Sequence, residues 1–241
     1  MGTIVAVRTN HGISIGADCL NTFEEMVHSS LNHAESCITK LGESYIGLNC
    51  SYALQQASQA VFASLSNDAI SEIHLGNREL IRNFFAAHFD NLRMQQRIIP
   101  QQHQNLPFET LPMHALLINR HGIFKVDAAR SVYEYKKYWA IGSGEAFALG
   151  SLHSSYNEDA DAEGLIKSAL KACGTFEANR NREVFIRTIR LPNLKLAPPD
   201  KDKSDRERAG TEKAKVLAHR GPVSIRRGKR VKKKDTEDSE G

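Results

Sequence analysis

Two apolar runs rich in β-branched residues open the chain, with a short polar turn between them. The first run covers residues 3–8, the turn residues 9–12 and the second run residues 13–18. Such runs around a turn that contains Asn and Gly predict a β-hairpin. Because chain termini tend to fray, a strand at residue 3 indicates a start that the fold holds in place. A buried start also raises the possibility of a terminal amine that acts as base for a side-chain nucleophile.

The rest of the chain follows this hairpin as alternating groups of strands and helices. Periodicity and turn residues predict a loop over 19–36, two strands within 37–50 around Gly42, helices over 52–65 and 78–96, an exposed connector over 101–112, strands over 114–119, 122–126, 132–137 and 138–141, helices over 145–156 and 162–172, and a strand over 183–191. Strands, two helices, strands, two helices and a last strand suit an α+β four-layer αββα sandwich. We expect one such domain over residues 1–196.

The net charge of +4 is unevenly distributed along the chain. Residues 197–241 carry fourteen Lys/Arg and nine Asp/Glu, a net of +5, while the remainder carries eighteen and nineteen, a net of −1. This last stretch has few large apolar residues, so burial cannot offset the entropy of ordering it. We therefore predict a disordered tail over residues 197–241.

The tail contains a dense basic block, which is followed by acidic residues. Its cations are Arg226, Arg227, Lys229, Arg230, Lys232, Lys233 and Lys234. One interpretation is weak binding to nucleic acid or another polyanion through counterion release. The other, which we favour, is a solubilising tail whose acidic end partly neutralises the block. No aromatic residue lies between the cations, so base stacking has no support.

Composition also argues against several classes of function. No apolar stretch approaches the length of a membrane span, and no signal segment precedes the first strand, so we expect a cytoplasmic protein without a membrane partner. The four cysteines, Cys19, Cys37, Cys50 and Cys173, lack Cys-x-x-Cys spacing, and we expect buried free thiols rather than a metal site. The ten histidines are dispersed, and we expect neither metal nor cofactor.

Three sequence blocks then point to one family. They are Thr3-Ile4-Val5-Ala6-Val7-Arg8 with Ile15-Gly16-Ala17-Asp18, then Lys40-Leu41-Gly42-Glu43-Ser44-Tyr45-Ile46-Gly47, and Trp139-Ala140-Ile141-Gly142-Ser143-Gly144-Glu145-Ala146-Phe147-Ala148-Leu149-Gly150. In this order they resemble proteasome β-type subunits, and most closely the bacterial branch called the β-proteobacterial proteasome homologue. The resemblance implies the N-terminal-nucleophile hydrolase fold.

The resemblance also assigns each catalytic slot of the family to a residue of this chain. In the resembled peptidases an exposed threonine attacks the substrate, a lysine lowers its proton affinity, and a backbone N–H stabilises the oxyanion. Alignment places Gly2 in the threonine slot, Cys37 in the lysine slot and Cys50 in the slot of the oxyanion glycine. The acid slot keeps Asp18 and the Gly-Ser-Gly turn keeps Ser143. Glu177 is the one acid in the segment 174–181, which replaces a later acid-and-serine motif.

These substitutions predict a subunit without peptidase activity. Glycine has no side chain to attack with, and a neutral cysteine cannot replace the lysine cation. Lys40, three residues from Cys37, lies on the opposite face of a regular strand. Asp18 at a strand end can bond backbone donors, and Ser143 can cap the next helix. We expect both Cys37 and Cys50 to be inert thiols rather than nucleophiles.

Thr3 offers an alternative nucleophile. Cleavage between Gly2 and Thr3 would resemble the Gly-Thr junction of proteasome precursors and would expose Thr3, which would then act with Asp18 and Ser143. However, Thr3 is one residue closer to Asp18 than the family spacing requires, and a one-residue slip turns a strand side chain to the opposite face. A compensating bulge would be needed, so the inactive subunit is favoured.

Assembly is the last expectation. The resemblance implies stacked rings around a chamber, built from this chain alone or with an active paralogue, and served by an unfoldase that the sequence does not identify. Phe84, Phe85 and Phe89 provide more aromatic surface than one helix face needs, which favours contacts between subunits. A non-enzymatic scaffold ring whose tails recruit an anionic partner is a further alternative.

Overall fold

The central part of the fold is a pair of antiparallel sheets. The computed structural model describes residues 2–18, 21–23, 26–28, 37–102, 108–176 and 184–191. All of these lie within the unit Met1–Lys195; the predicted tail, residues 197–241, belongs to the unit Leu196–Gly241 and lies outside the described residues.

The first sheet contains four strands and the second contains five. The strands are β1 (Thr3–Thr9), β2 (Gly12–Ala17), β3 (Asn21–Phe23), β4 (Met26–His28), β5 (Ile38–Leu41), β6 (Ser44–Asn49), β7 (His114–Asn119), β8 (Gly122–Val126), β9 (Val132–Tyr135), β10 (Tyr138–Gly142) and β11 (Phe185–Arg190). The first sheet has the order β10-β1-β2-β11, and the second has the order β5-β6-β7-β8-β9. Within the part of the chain that the structure describes, strands β3 and β4 pair only with each other.

Five helices are described: α1 (Tyr52–Ala63), α2 (Asn67–Glu72), α3 (Arg78–Gln95), α4 (Glu145–Ser155) and α5 (Ala162–Phe176). Residues from α1 and α3 share a buried cluster with the second sheet. Residues from α4 and α5 share another with β1 and β10. A third cluster joins the facing sides of the two sheets. The predicted four-layer αββα sandwich is therefore confirmed.

The alternation of side chains along β1 decides which core each residue joins. Val5 and Val7 lie in the cluster beneath α4 and α5, whereas Ile4 and Ala6 lie between the sheets. Successive side chains of a strand point to opposite faces. The all-apolar run seen in the sequence is thus explained, because this strand is buried on both of its faces.

Three local predictions were wrong. The segment predicted as loop over 19–36 contains the hairpin of β3 and β4. The six-residue helix α2 was missed, although its N-cap Ser66 accepts a bond from the Ala69 N–H, because so short a segment shows no apolar periodicity. The connector over 101–112 is not uniformly exposed: Gln101 pairs with Thr110, and Thr110 and Leu111 are buried.

The aromatic residues of α3 are used within the subunit, contrary to the sequence-based expectation. Phe85 and Phe89 are buried in the core beneath α1 and α3, and Phe84 packs partly buried against the same core. The three residues lie on one side of the helix, so that their rings all reach the same core. They provide no evidence for contacts between subunits.

A histidine is buried in this core. His88 is 3% exposed, its ring stacks on Phe62 at 4.6 Å between centroids, and its Nε2 lies 3.2 Å from Ser58 Oγ. Ser58 in turn lies 3.7 Å from Met113 Sδ, to which it donates. Burial lowers the pKa of His88 from its ordinary value of 6.5 to about 4, because the charged ring is poorly solvated there.

This histidine should make stability sensitive to acid. Its folded-state pKa lies below its unfolded value, so the stability associated with the neutral ring is present above pH 6.5 and is lost as pH falls towards 4. Relative to pH 7, we expect a loss of about 2.5 kcal/mol at pH 4.5 from this residue. His88→Leu should remove that loss, as measured by urea unfolding at the two pH values. The control His153→Gln, at an exposed position, should behave as wild type; an unchanged acid response in His88→Leu would contradict the assignment.

Candidate functional site

The candidate site is built around the start of β1. This strand pairs with β10 on one side, with Thr3 opposite Gly142, and with β2 on the other, with Ile4 opposite Ala17. Asp18 follows β2 directly. The pairing therefore brings three parts of the chain that are far apart in sequence to one end of the first sheet.

Gly2 is in close contact with Asn49 and Gly142. Its carbonyl oxygen accepts a hydrogen bond of 3.0 Å from Asn49 Nδ2, at the end of β6. Gly142 has a φ of +111°, and a β-carbon there would collide with this same oxygen. Glycine is required at residue 142 for both reasons. Asn49 connects the start of β1 to the second sheet.

Thr3 is fully buried, with 0% of its surface exposed. Its backbone N–H donates to Asp18 Oδ1 at 2.5 Å, and its Oγ accepts the Gly144 N–H at 3.0 Å. The Asp18 N–H donates to the Thr3 carbonyl at 3.2 Å. The predicted role of Asp18 as an acceptor for backbone donors is confirmed.

The hydroxyl of Thr3 lies on the helix side of the sheet. A β-carbon at Gly144 would come within 2.6 Å of Thr3 Oγ and 2.9 Å of Cys173 Sγ, and Cys173 belongs to the core formed with α4 and α5. Thr3 shares this face with Val5 and Val7. Extending the alternation by one residue, a side chain at Gly2 would point to the face of Ile4, between the sheets.

Two residues of the site were missed in the sequence. For Asn49, nothing in the local sequence indicates a contact with Gly2, which is 47 positions away. Cys173, buried on α5, lies 3.3 Å from the Gly144 carbonyl and 3.2 Å from the Ala169 carbonyl, either of which can accept its S–H. Cys173 packs against the Gly-Ser-Gly turn from the side of α5. None of the catalytic positions assigned from the sequence corresponds to it.

The cysteines in the lysine and oxyanion slots differ from each other. Cys37 lies partly exposed just before β5 and is disulfide-bonded, so the expectation of a free thiol there was wrong. Sequence spacing gave no sign of the pairing, because pairing depends on three-dimensional approach. Cys50 is free and buried, and burial raises its pKa to about 12. Cys50 is therefore a neutral thiol at pH 7. It carries no positive charge, and it cannot attack as a thiolate.

Three more residues singled out in the sequence are Ser143, Lys40 and Glu177. Ser143 is exposed in the turn after β10, while Gly144 occupies the N-cap of α4 without a side-chain bond; the predicted cap by Ser143 was wrong, because the helix begins one residue later than such a cap requires. Lys40 is exposed on β5. Glu177 lies outside the described residues.

Across the described ranges, no group of three or more His, Cys, Asp or Glu side chains is arranged to hold a metal ion. The helices in those ranges also include none that is both long and apolar enough to cross a membrane. The cytoplasmic location stays a prediction from the sequence.

Comparisons with known proteins agree with this architecture. The family described as "Proteasome subunit" matches residues 85–182. A proteasome subunit beta from Stackebrandtia nassauensis is 27% identical over 177 residues, covering 70% of this chain and 60% of the relative. One from Nanoarchaeum equitans is 39% identical over 64 residues, covering 27% of this chain and 31% of the relative. These matches span less than two thirds of either curated relative.

A solved structure is similar to this chain over most of the length of both proteins. BPH from Thiobacillus denitrificans, in complex with epoxomicin, is 26% identical and has a TM-score of 0.69, covering 79% of this chain and 99% of its own. The N-terminal-nucleophile hydrolase fold that the resemblance implied is thereby confirmed. The order of strands and helices, the Gly-Ser-Gly turn beside β1 and these similarities lead to one conclusion: in sequence and in fold, the chain is similar to proteasome β-type subunits.

Proposed function

We propose that this chain is a subunit of a proteasome-like, self-assembling ring and that it lacks peptidase chemistry of its own. The observation that carries the proposal is the placement of Thr3. Its hydroxyl is 0% exposed and bonded to the Gly144 N–H, on the face of β1 that packs against helices. A nucleophile must reach the substrate carbonyl, and this hydroxyl has no access to one.

The surrounding groups support the same proposal. Gly2, which aligns with the family's threonine, has no hydroxyl. Cys37 is held in a disulfide and Cys50 is a neutral buried thiol, so neither supplies the cation that would activate a nucleophile. Groups that act as a catalytic unit contribute little once its central members are missing. Of the two residues that are kept, Asp18 has a structural use through its bond to the Thr3 N–H.

The alternative is a threonine peptidase whose nucleophile is Thr3, exposed by cleavage after Gly2. In that protein the bond between Thr3 Oγ and Gly144 would have to break, and the strand would have to shift by one position. The Gly142 and Gly144 contacts oppose such a shift, because both glycines already touch the β1 backbone or the Thr3 side chain.

Substitution of Thr3 separates the two functions. We expect wild-type protein to leave fluorogenic peptides intact and to form no adduct with epoxomicin in intact-mass measurements. Thr3→Val should be equally inactive and should lose about 1–3 kcal/mol of unfolding free energy, because the buried Gly144 N–H loses its acceptor. The matched control Thr3→Ser keeps that acceptor and should lose only about 1 kcal/mol, for the missing methyl group.

The same mass spectrum reports the first residue of the mature chain. An epoxomicin adduct on a chain that begins at Thr3, absent from Thr3→Val, would overturn the proposal and establish the peptidase. Retention of Gly2 without any adduct would support it.

Assembly into rings is the second part of the proposal. An aromatic pair on the helix layer provides surface for it: Phe147 at the start of α4 and Phe176 at the end of α5 stack at 5.3 Å between centroids and are 41% and 69% exposed. Exposed aromatic pairs are typical of surfaces that associate. The partner would be a second copy of this chain or an active paralogue.

Sedimentation tests this part. Wild-type protein at micromolar concentration should form a species many times the 26.9 kDa mass of the chain. Phe147→Ser with Phe176→Ser should shift the population to smaller species, because the apolar contact is lost. Tyr133→Ser, at a 47% exposed position on β9, is the control and should assemble normally. A wild-type monomer would contradict the ring.

The basic block of the tail supports a weaker proposal, the scaffold with an anionic partner. Arg226 to Lys234 contains seven cations in nine residues, and several phosphate contacts formed together would give strong salt dependence. In a ring, linked tails would raise the effective concentration after the first contact.

Truncation tests this interaction. We expect the full chain to retard duplex DNA weakly and without sequence preference at about 50 mM salt, and to release it at about 200 mM. A chain ending at Leu196 should neither bind nor differ in unfolding free energy. Equal retardation by both proteins, or by neither, would leave the tail as a solubilising segment.

A further inference from the structure

A cavity of about 460 Å³ lies at the end of β6 opposite to Gly2. It is bounded by the turn between β5 and β6, the segment between α2 and α3, and the turn between β7 and β8. Ser44 lines it at the start of β6, whereas Asn49, at the end of β6, binds Gly2. With a rise of about 3.3 Å per residue, the two sites are roughly 17 Å apart along the strand. The volume is in the range of small-molecule pockets.

One buried side chain holds the walls of this cavity together. Asn119 is 3% exposed, and its Nδ2 donates to the Leu75 carbonyl at 2.7 Å and to Ser44 Oγ at 3.4 Å. Its Oδ1 accepts the His121 N–H at 2.9 Å and the Gly122 N–H at 3.3 Å. The three boundary segments are therefore fixed before any ligand enters, which reduces the entropy lost on binding.

One part of the lining carries donors for an anion. Arg120, His74 and His121 line the cavity, and Arg120 Nε donates to His121 Nε2 at 3.3 Å. Because His121 Nε2 accepts that bond, the other ring nitrogen, Nδ1, is the one that can donate. Arg120 also forms an ion pair with Glu43 at 3.7 Å, with the two side chains 65% and 78% exposed. Exposed pairs of this kind are weak, so a ligand carboxylate can replace Glu43.

Another part of the lining is apolar. Ile73, Leu75 and Leu80 contribute to it; Leu75 is buried, and Leu80, in the first turn of α3, is 41% exposed. A cavity lined by both a partly exposed leucine and a guanidinium group suits a ligand with a charged head and a short hydrocarbon body. An inorganic anion would leave the apolar part uncovered.

We propose that this cavity binds a small monoanionic organic acid, with its carboxylate on Arg120 and His121 and its hydrocarbon part on Ile73, Leu75 and Leu80. A planar carboxylate matches the two-pronged guanidinium. The proposal is independent of any activity at the start of β1.

Calorimetric titration of the full chain tests the proposal with isovalerate and phenylacetate as probes. Both should bind saturably, while isovaleramide, which has the same shape without the charge, and inorganic phosphate should each bind at least about tenfold more weakly, as expected for the loss of a charge-assisted bond or of the apolar contact. Leu80→Ser should weaken phenylacetate more than it weakens phosphate.

Two substitutions should shift the affinity in opposite directions. Arg120→Gln removes the cation and should weaken isovalerate by about tenfold or more, whereas Glu43→Gln removes the competing carboxylate and should strengthen it. An ion pair with only a structural role would move affinity in neither case. Arg93→Gln, which breaks the exposed pair with Glu109, is the control and should bind as wild type.

The proposal is overturned by any of three results. These are equal binding of isovalerate and isovaleramide, phosphate binding as strong as that of isovalerate, and shifts of the same sign in Arg120→Gln and Glu43→Gln. Absence of saturable binding by either acid also overturns it, provided that unfolding of the wild-type protein confirms that it is folded.

Discussion

The start of β1 depends on the hydrogen bond between the Thr3 N–H and the buried carboxyl group of Asp18. A buried carboxylate needs donors to compensate for lost hydration, and bonds from backbone N–H groups to it are among the stronger ones in proteins. Together with the bond from Gly144 to Thr3 Oγ, it holds the first residues of a strand that would otherwise fray. The two bonds fix the first residue of β1 in the register that places Thr3 opposite Gly142.

The same two bonds determine which residue faces which layer. Because side chains alternate along a strand, a Thr3 hydroxyl held under α4 leaves position 2 on the face between the sheets. Position 2 is the one that aligns with the threonine of the resembled peptidases, and here it is a glycine. The Gly-Ser-Gly turn is then explained by packing: Gly142 and Gly144 leave room for Gly2 and Thr3, and Cys173 supports the turn from the helix side.

Much of the fold was predictable because its signals are local. The apolar runs of β1 and β2, the turn at Gly42 with a φ of +55° and the 3.6-residue periodicity of α3 are readable within a short window. In the candidate site, the bond from a backbone N–H to Asp18 was predictable, but two other contacts were not. Asn49 meets Gly2 across 47 residues and Cys173 meets Gly144 across 29, and no local pattern encodes such meetings. The burial of Phe89 was missed for a related reason, because it depends on the width of the core that α1 and the second sheet form against α3.

The residues that differ from the family pattern at this site all affect the activation of a hydroxyl group as a nucleophile. A hydroxyl becomes a nucleophile only when its proton is taken up and its charge is stabilised, so a side chain added at position 2 would by itself stay a poor nucleophile. The nearest slots offer a disulfide sulfur at Cys37 and, at Cys50, a thiol whose pKa burial raises to about 12. Asp18 cannot serve as a free base without giving up the bond that holds β1. The structural and catalytic uses of this carboxyl group therefore compete. In this structure the carboxyl group makes the structural bond, which it accepts from the Thr3 N–H.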